Sequence, residues 1–300
     1  MCGVRVGEVF LTGLLGANSL VGGCLLKFLG AEGRQVVAFS RRAYDGADMP
    51  GVTWLRRDPS VQRPSGLSPI QRWLCVAPIW VLPDYFSMIE AYGARRVVAL
   101  SSTSRFTKMA ISGTRDNSEN AMAVRLAEGE ERLKAWARSR SIECVILRPT
   151  LIYGFGVDKN IAEIARFIRC FGFFPLLGKA RGLRQPIHAE DVAAACLAAL
   201  AAPGSVNRAY NISGGETLPY REMVSRVFTA LQRPRLMLTV PLDAFKLTLV
   251  FLRLVPRYRH WSSAMAERMN RDIVFDHADA ATDLGFSPRR FQITAEDLPR

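Results

Sequence analysis

The chain has 300 residues, of which 49% are hydrophobic and 22% charged, enough for one large or two small globular domains with a real core. A formal net charge of +13 and a pI near 10.0 point to anionic partners: nucleotide phosphates, nucleic acid or an acidic membrane surface. Nucleic acid is set aside, because no Lys/Arg cassette with interleaved aromatics, zinc spacing or helix-turn-helix grammar occurs.

The six cysteines are scattered singly without a CxxC pair and the three histidines are dispersed. Neither disulfides nor a metal site is expected, and a reducing compartment fits. No uninterrupted apolar run reaches about 18 residues, the length needed to span a bilayer. The expectation is a cytoplasmic protein, peripheral at the inner face of a membrane at most.

The stretch from Glu8 to Gly23 opens the chain with an apolar run (Val9 to Leu15), a Gly-rich turn and a helical pattern. This is the strand–turn–helix opening of a nucleotide-binding α/β domain. Two glycine registers compete, Gly13-x-x-Gly16-x-x-Ser19 and Gly16-x-x-Ser19-x-x-Gly22. The second is preferred, since it leaves a clean strand before Gly16 and about three helical turns from Gly22 to the break at Gly30 and Gly33. Gly16 allows the sharp turn, Gly22 a close helix–strand contact, and Ser19 replaces the glycine that faces a pyrophosphate. A second strand, Gln35 to Ser40, ends in Arg41 and Arg42, where an NAD site usually has an acid; arginine suits a 2′-phosphate, so NADP(H) is favoured over NAD(H).

Further strands are expected at Val52 to Arg56, Trp73 to Val81, Arg96 to Leu100 and Ile142 to Leu147. Helices are expected at Pro83 to Ala91 and Glu119 to Ser139. Strands alternating with helices predict an α/β fold, a doubly wound parallel sheet with right-handed crossovers.

The segments TGLLGANSLVGG, SSTS after the fifth strand, RPTLIYGFG, RQPIHAEDVAAA and YNISGGETLPYREM follow one another in order. In that order the chain resembles an extended, atypical short-chain dehydrogenase/reductase of the NAD(P)-dependent epimerase/dehydratase family, nucleotide-sugar branch. The resemblance implies a Rossmann domain over residues 1–155 and 186–212, and a smaller substrate-binding or lid region over 156–185 and 213–300. It implies that Gly16, Ser19, Leu20 and Gly22 hold the pyrophosphate, Arg41 and Arg42 the adenosine ribose end, and Asp58 the adenine. Ala77, Pro78 and Ser101 then complete the cofactor site, with Pro149, Leu151 and Ile152 bordering the nicotinamide. Ser102 and Thr103 are the implied catalytic hydroxyls. His188 and Asp191 are read as architectural, with Asp191 capping a helix and His188 a satisfied structural residue.

Such enzymes move protons with a Tyr-x-x-x-Lys pair one helical turn apart. Counting back from Arg148-Pro149, its places fall on Met122 and Leu126, and no Tyr occurs between Tyr92 and Tyr153. Two readings follow. The protein is an oxidoreductase on a nucleotide-activated or lipid-linked sugar of surface polysaccharide synthesis, with Lys108, Arg115 or Tyr153 as substitutes. Alternatively it is a catalytically silent NADP(H)-binding accessory protein of a membrane-associated complex, as in the accessory subunit of respiratory complex I that the chain resembles in this respect.

In the C-terminal half an amphipathic helix (Ile161, Ile164, Ala165 and Ile168 on one face) leads into an apolar loop from Phe171 to Leu177. That loop is either ordinary core or an apolar mouth for a lipid-linked sugar or a membrane. Pro241 to Trp261 joins an apolar run to Arg253, Arg257, Arg259 and His260, which suits a headgroup boundary and equally a dimerisation helix. A short strand at Ile273 to Phe275 and a terminal DLGFSPRRF that docks back on the body complete the expectation.

Overall fold

Short, mostly apolar strands separated by helices leave both faces of a sheet in need of cover, and the computed structural model provides it on both sides. It describes residues 11–40, 49–56, 66, 68–109, 117–241 and 268–300. A seven-stranded parallel sheet holds β1 (Thr12–Leu15), β2 (Val36–Ser40), β3 (Val52–Arg56), β4 (Arg72–Cys75), β5 (Arg96–Leu100), β6 (Glu143–Pro149) and β11 (Ala209–Ile212). Their order is β11-β6-β5-β4-β1-β2-β3, so β1 lies between β2 and β4 and the winding reverses there. The doubly wound Rossmann architecture is as expected.

Successive strand residues point to opposite faces. Leu14, Val36, Ala38, Leu74, Val98 and Val145 pack under α1 (Leu20–Ala31) and α6 (Ala189–Ala201). Leu15, Val37, Phe39, Trp73, Cys75, Val97 and Ile146 pack under a 3-10 helix (Ile79–Tyr85), α2 (Phe86–Ala91) and α4 (Asn117–Ser139). A third cluster joins α5 (Ile161–Phe171), β8 (Phe174–Leu177) and α7 (Tyr220–Ala230) with Met269, Phe291 and Leu298. The chain end serves two clusters: Phe286, just past α8 (Ala278–Leu284), packs against the sheet, and Phe291 and Leu298 enter the third cluster. The terminal segment thus docks back as expected.

Several expected elements differ. α1 begins at Leu20 with Ser19 as its N-cap and runs through Gly30, because neither helical Gly23 nor Gly30 meets anything that breaks it. The fourth strand stops at Cys75, and its apolar continuation coils after Pro78 into the 3-10 helix that contains Pro83. Phe174–Leu177 is not loop but strand β8, paired in parallel with β13 (Met237–Val240). Ile273 to Phe275 is not a strand; Ile273 N–H donates to Leu183 O at 2.9 Å without a ladder. A short helix α3 (Ser104–Met109) follows the SSTS run. Residues 242–267, with most of the expected headgroup-boundary stretch, lie outside the described residues.

Candidate functional site

The sheet's winding reverses between β1 and β4, and open α/β sheets bind ligands in the crevice at the carboxyl ends of such strands. The first turn sits there. Gly13 lies inside β1 against the Trp73 indole, so the later glycine register is the one adopted. Gly16 has φ +91, and a Cβ on it would stand 2.5 Å from the Ala77 amide nitrogen. A Cβ on Gly22 would collide with the carbonyl oxygen of Gly16. Both positions therefore require glycine: one for the turn, one for the seating of α1 on it.

Ser19 O accepts from Gly23 N–H at 2.9 Å, and Ser19 Oγ accepts from Gly22 N–H at 3.1 Å. Ser19 N–H donates to Gly16 O at 2.9 Å, so what remains for an anion is the hydroxyl hydrogen. The N–H groups of Leu20 and Val21 have no acceptor within a helix and point from its positive end. Asn18 Nδ2 donates to Ser40 Oγ at 3.1 Å, tying this turn to the end of β2. This is a cradle that a dinucleotide pyrophosphate fits. Arg41, Arg42 and Asp58 lie outside the described residues. Ala77 N–H donates to Leu15 O at 3.2 Å, and Pro78 opens the 3-10 helix beside the cradle.

Across the crevice, the serine-rich run after β5 is largely committed. Ser101 Oγ donates to Glu130 Oε1 at 2.6 Å, and Ser102 Oγ accepts from Ser104 N–H at 3.1 Å. Thr103 is corrected as a substrate-facing hydroxyl: it is buried and donates to Pro149 O at 3.2 Å. Ser102, half-buried, keeps its own hydrogen for a ligand. Tyr153 is corrected as a substitute base, because it is fully buried and its hydroxyl donates to Gln292 O at 3.0 Å. Burial pushes its pKa up, away from base chemistry. Arg115 lies outside the described residues, as does the side chain of Lys108.

On α4 Leu126 is core and Met122 packs half-buried against the same cluster, so both side chains form part of an apolar wall. One turn on, fully buried Glu130 meets Arg148 at 2.6 Å and Arg105 in a second ion pair. Burial would raise the Glu130 pKa, but hydrogen bonds from Arg148 and Ser101 and the charges of both arginines hold it below the ordinary carboxylate value. Pro149 ends β6, and β7 (Ile152–Tyr153) pairs with β10 (Ile187–His188). Leu151 packs against the third cluster and Ile152 against the first.

The cap of α6 is His188, not Asp191. Its Nδ1 accepts from Glu190 N–H at 3.3 Å, which places the ring proton on Nε2, 3.1 Å from Asp297 Oδ1. Asp191 instead accepts from Arg289, whose Nε stands 2.8 Å away. The sequence offered no sign of Glu130 or Asp297 as partners.

Residues 84–213 match the NAD dependent epimerase/dehydratase family. The chain is 27% identical over 177 residues to the UDP-glucose 4-epimerase of Vibrio cholerae, covering 58% of this chain and about half (52%) of that relative's length. It is 24% identical to the 2-alkyl-3-oxoalkanoate reductase of Stenotrophomonas maltophilia, over 91% of this chain and 93% of that one. A shorter stretch of 91 residues, 30% of this chain and 22% of the other, is 30% identical to NADH dehydrogenase [ubiquinone] 1 alpha subcomplex subunit 9 of Arabidopsis thaliana. Among solved structures, UDP-glucose 4-epimerase from Thermotoga maritima with UDP-glucose superposes with a TM-score of 0.66 at 14% identity, covering 96% of each chain. UDP-glucuronic acid 4-epimerase from Bacillus cereus in complex with NAD gives 0.68 at 14% identity, covering 93% of each. At that identity these structures share the fold. Over residues 84–213 the chain is thus similar to the NAD dependent epimerase/dehydratase family, and its sheet order and glycine cradle have the Rossmann-type fold of the solved epimerases.

Proposed function

We propose that the chain binds a nicotinamide dinucleotide in the β1–β4 crevice, NADP(H) in preference to NAD(H). On this reading it acts as an epimerase/dehydratase-like oxidoreductase on a nucleotide-activated or lipid-linked sugar in surface polysaccharide synthesis. The observation that carries the reading is the cradle itself, in which Gly16 and Gly22 admit no side chain and the first turn of α1 faces the switch point. The dinucleotide, when bound, supplies hydride transfer. The chain's own residues hold and orient: the Leu20 and Val21 N–H groups and the Ser19 hydroxyl hold the pyrophosphate. Arg41 and Arg42 hold the 2′-phosphate, Asp58 sits by the adenine, Ala77 and Pro78 line the nicotinamide ribose, and Ser101 completes the cofactor site. Pro149, Leu151 and Ile152 border the reactive ring, and Ser102 hydrogen-bonds the sugar. Residues 156–185 and 213–300 form the substrate side, and the protein works in the cytoplasm with peripheral membrane contact. Titration should give tighter binding of NADPH than of NADH, and tighter NADH binding would overturn the cofactor choice. NADPH oxidation or sugar epimerisation across a nucleotide-sugar panel tests the activity.

A second reading, a silent dinucleotide-binding accessory protein of a membrane-associated complex, is favoured by one observation. The α4 face that should move protons is built from Met122 and buried Leu126. Complete inactivity across the panel with intact NADPH binding selects this reading.

A further inference from the structure

At the C-terminal end of α5 the helix stops on Gly172, in the left-handed conformation, and three phenylalanines gather around the stop. The Phe167 ring lies 4.6 Å from Phe171 and 5.8 Å from Phe173, centroid to centroid. β13 continues this surface, since Phe174 N–H donates to Leu236 O at 2.9 Å and Leu238 stands opposite Pro175 in the ladder. Leu236 and Leu238 are two residues apart and share one face of the strand. Phe171, Leu236 and Leu238 are 44%, 54% and 47% exposed. An apolar patch of this kind on a described surface marks a contact site.

Its rim says what kind. Arg169, Arg233 and Arg235 are exposed around the patch, and their described partners are neutral: Pro299 O for Arg169 and Thr229 Oγ1 for Arg235. Among the described residues none of the three forms an ion pair, in a chain whose net charge is +13. Some other arginines do find acids, as Arg226 finds Glu216 and Arg289 finds Asp191, while Arg184 and Arg221 bond neutral partners. Apolar side chains ringed by unpaired guanidinium groups match the acyl–headgroup boundary of an anionic bilayer, where each cation near the surface raises affinity about fivefold.

We propose that the α5 end and β13, through Phe171, Phe173, Leu236 and Leu238 within the rim of Arg169, Arg233 and Arg235, form the surface by which the chain docks on an anionic membrane. This gives the peripheral contact proposed above a location, rests on that part of the reading, and is independent of the nucleotide crevice. Cys170 is the exposed one among the described cysteines and lies in the patch, so it serves as a reporter.

With Cys2 replaced by Ser, an environment-sensitive dye on Cys170 should shift to the blue with vesicles of phosphatidylglycerol and phosphatidylcholine, and not with phosphatidylcholine alone. Co-sedimentation of unlabelled protein should fall at least tenfold in Phe171→Ser/Leu236→Ser and, at low salt, in Arg233→Glu/Arg235→Glu. Val157→Ser, an exposed apolar residue near the other end of α5, should change nothing. NADPH titration should be the same in all variants, which separates failure of docking from failure of the nucleotide site. Absence of vesicle binding overturns the proposal, as does binding indifferent to the patch variants, which would assign the contact to residues 242–267 or elsewhere. A concentration-dependent dimer dissolved by the same variants also overturns it, because a second copy would then cover the face.

Discussion

At the scale of single residues, the glycines of the first turn divide into those that something touches and those that nothing does. Gly16→Ala places a Cβ against the Ala77 amide at φ +91, which costs roughly 2–4 kcal/mol of stability and displaces the cradle. Calorimetry should show the lowered melting temperature and titration the loss of NADPH binding. Gly23 and Gly30 are helical and exposed with open space where a Cβ would go, so Gly23→Ala and Gly30→Ala should each stabilise by about 0.5–1 kcal/mol in urea unfolding with NADPH affinity kept. If all three substitutions behaved alike, the close packing of Gly16 would not be what fixes this turn. Glu130 makes the complementary case for charge. Glu130→Gln leaves Arg148 and Arg105 facing a neutral amide beneath the serine-rich run, a loss of about 3 kcal/mol by the measure of broken buried pairs. The same urea series reads it out.

At the scale of elements, α6 is held from outside its own sequence. Its cap His188 leans on Asp297, which also accepts from Thr294 N–H and hydroxyl and from Phe155 N–H. Burial alone would push that carboxyl up; His188, Thr294 and Phe155 together outweigh it and bring it from 3.8 down to about 2. A carboxyl whose pKa is depressed on folding contributes stability above its unfolded value and loses it as pH falls through the folded one. Wild-type stability should therefore fall between about pH 4 and pH 2 by about 2 kcal/mol more than that of Asp297→Asn, read by urea unfolding at stepped pH. Parallel slopes would mean the carboxylate adds nothing to the cap. This latch also marks where sequence reasoning ends. The sheet strands were legible because VVAFS and RVVAL each hold four consecutive apolar residues, the pattern of strands buried on both faces. β8 was not, because FPLL carries a proline and its partner β13 lies some sixty residues on, with no local turn to announce the pair. Asp191 outranked His188 as a cap on residue preference alone, and only the fold brings Arg289 to Asp191 and Asp297 to His188. Glu130 reads in sequence as one acid of a solvated EGEER stretch; burial by β5 and β6 makes it the hub of two arginines.

At the scale of the whole molecule, the last fifteen residues connect two cores. Phe286 fills the sheet cluster, Phe291 and Leu298 fill the third, Arg289 holds the first turn of α6, and Asp297 its cap. Phe291 is about fully enclosed at 1% exposure, with its ring 5.0 Å from Tyr153. Phe291→Ala should cost about 3–5 kcal/mol, a large part of the 5–15 kcal/mol that stabilises an ordinary domain. Ending the chain at Gly285 removes two phenylalanines, a leucine and both polar ties at once, so the truncated chain should lose its cooperative melt by circular dichroism. Saturating NADPH acts from the middle of the same sheet: at one hundred times Kd it adds about 2.7 kcal/mol to any chain that still folds the crevice. The Phe291→Ala variant should thus regain most of its melting temperature on adding NADPH, whereas the truncated chain should regain none. Rescue of both would show the nucleotide-binding half to be stable without the tail, and the two cores to be joined far more loosely than their shared C-terminal strap implies.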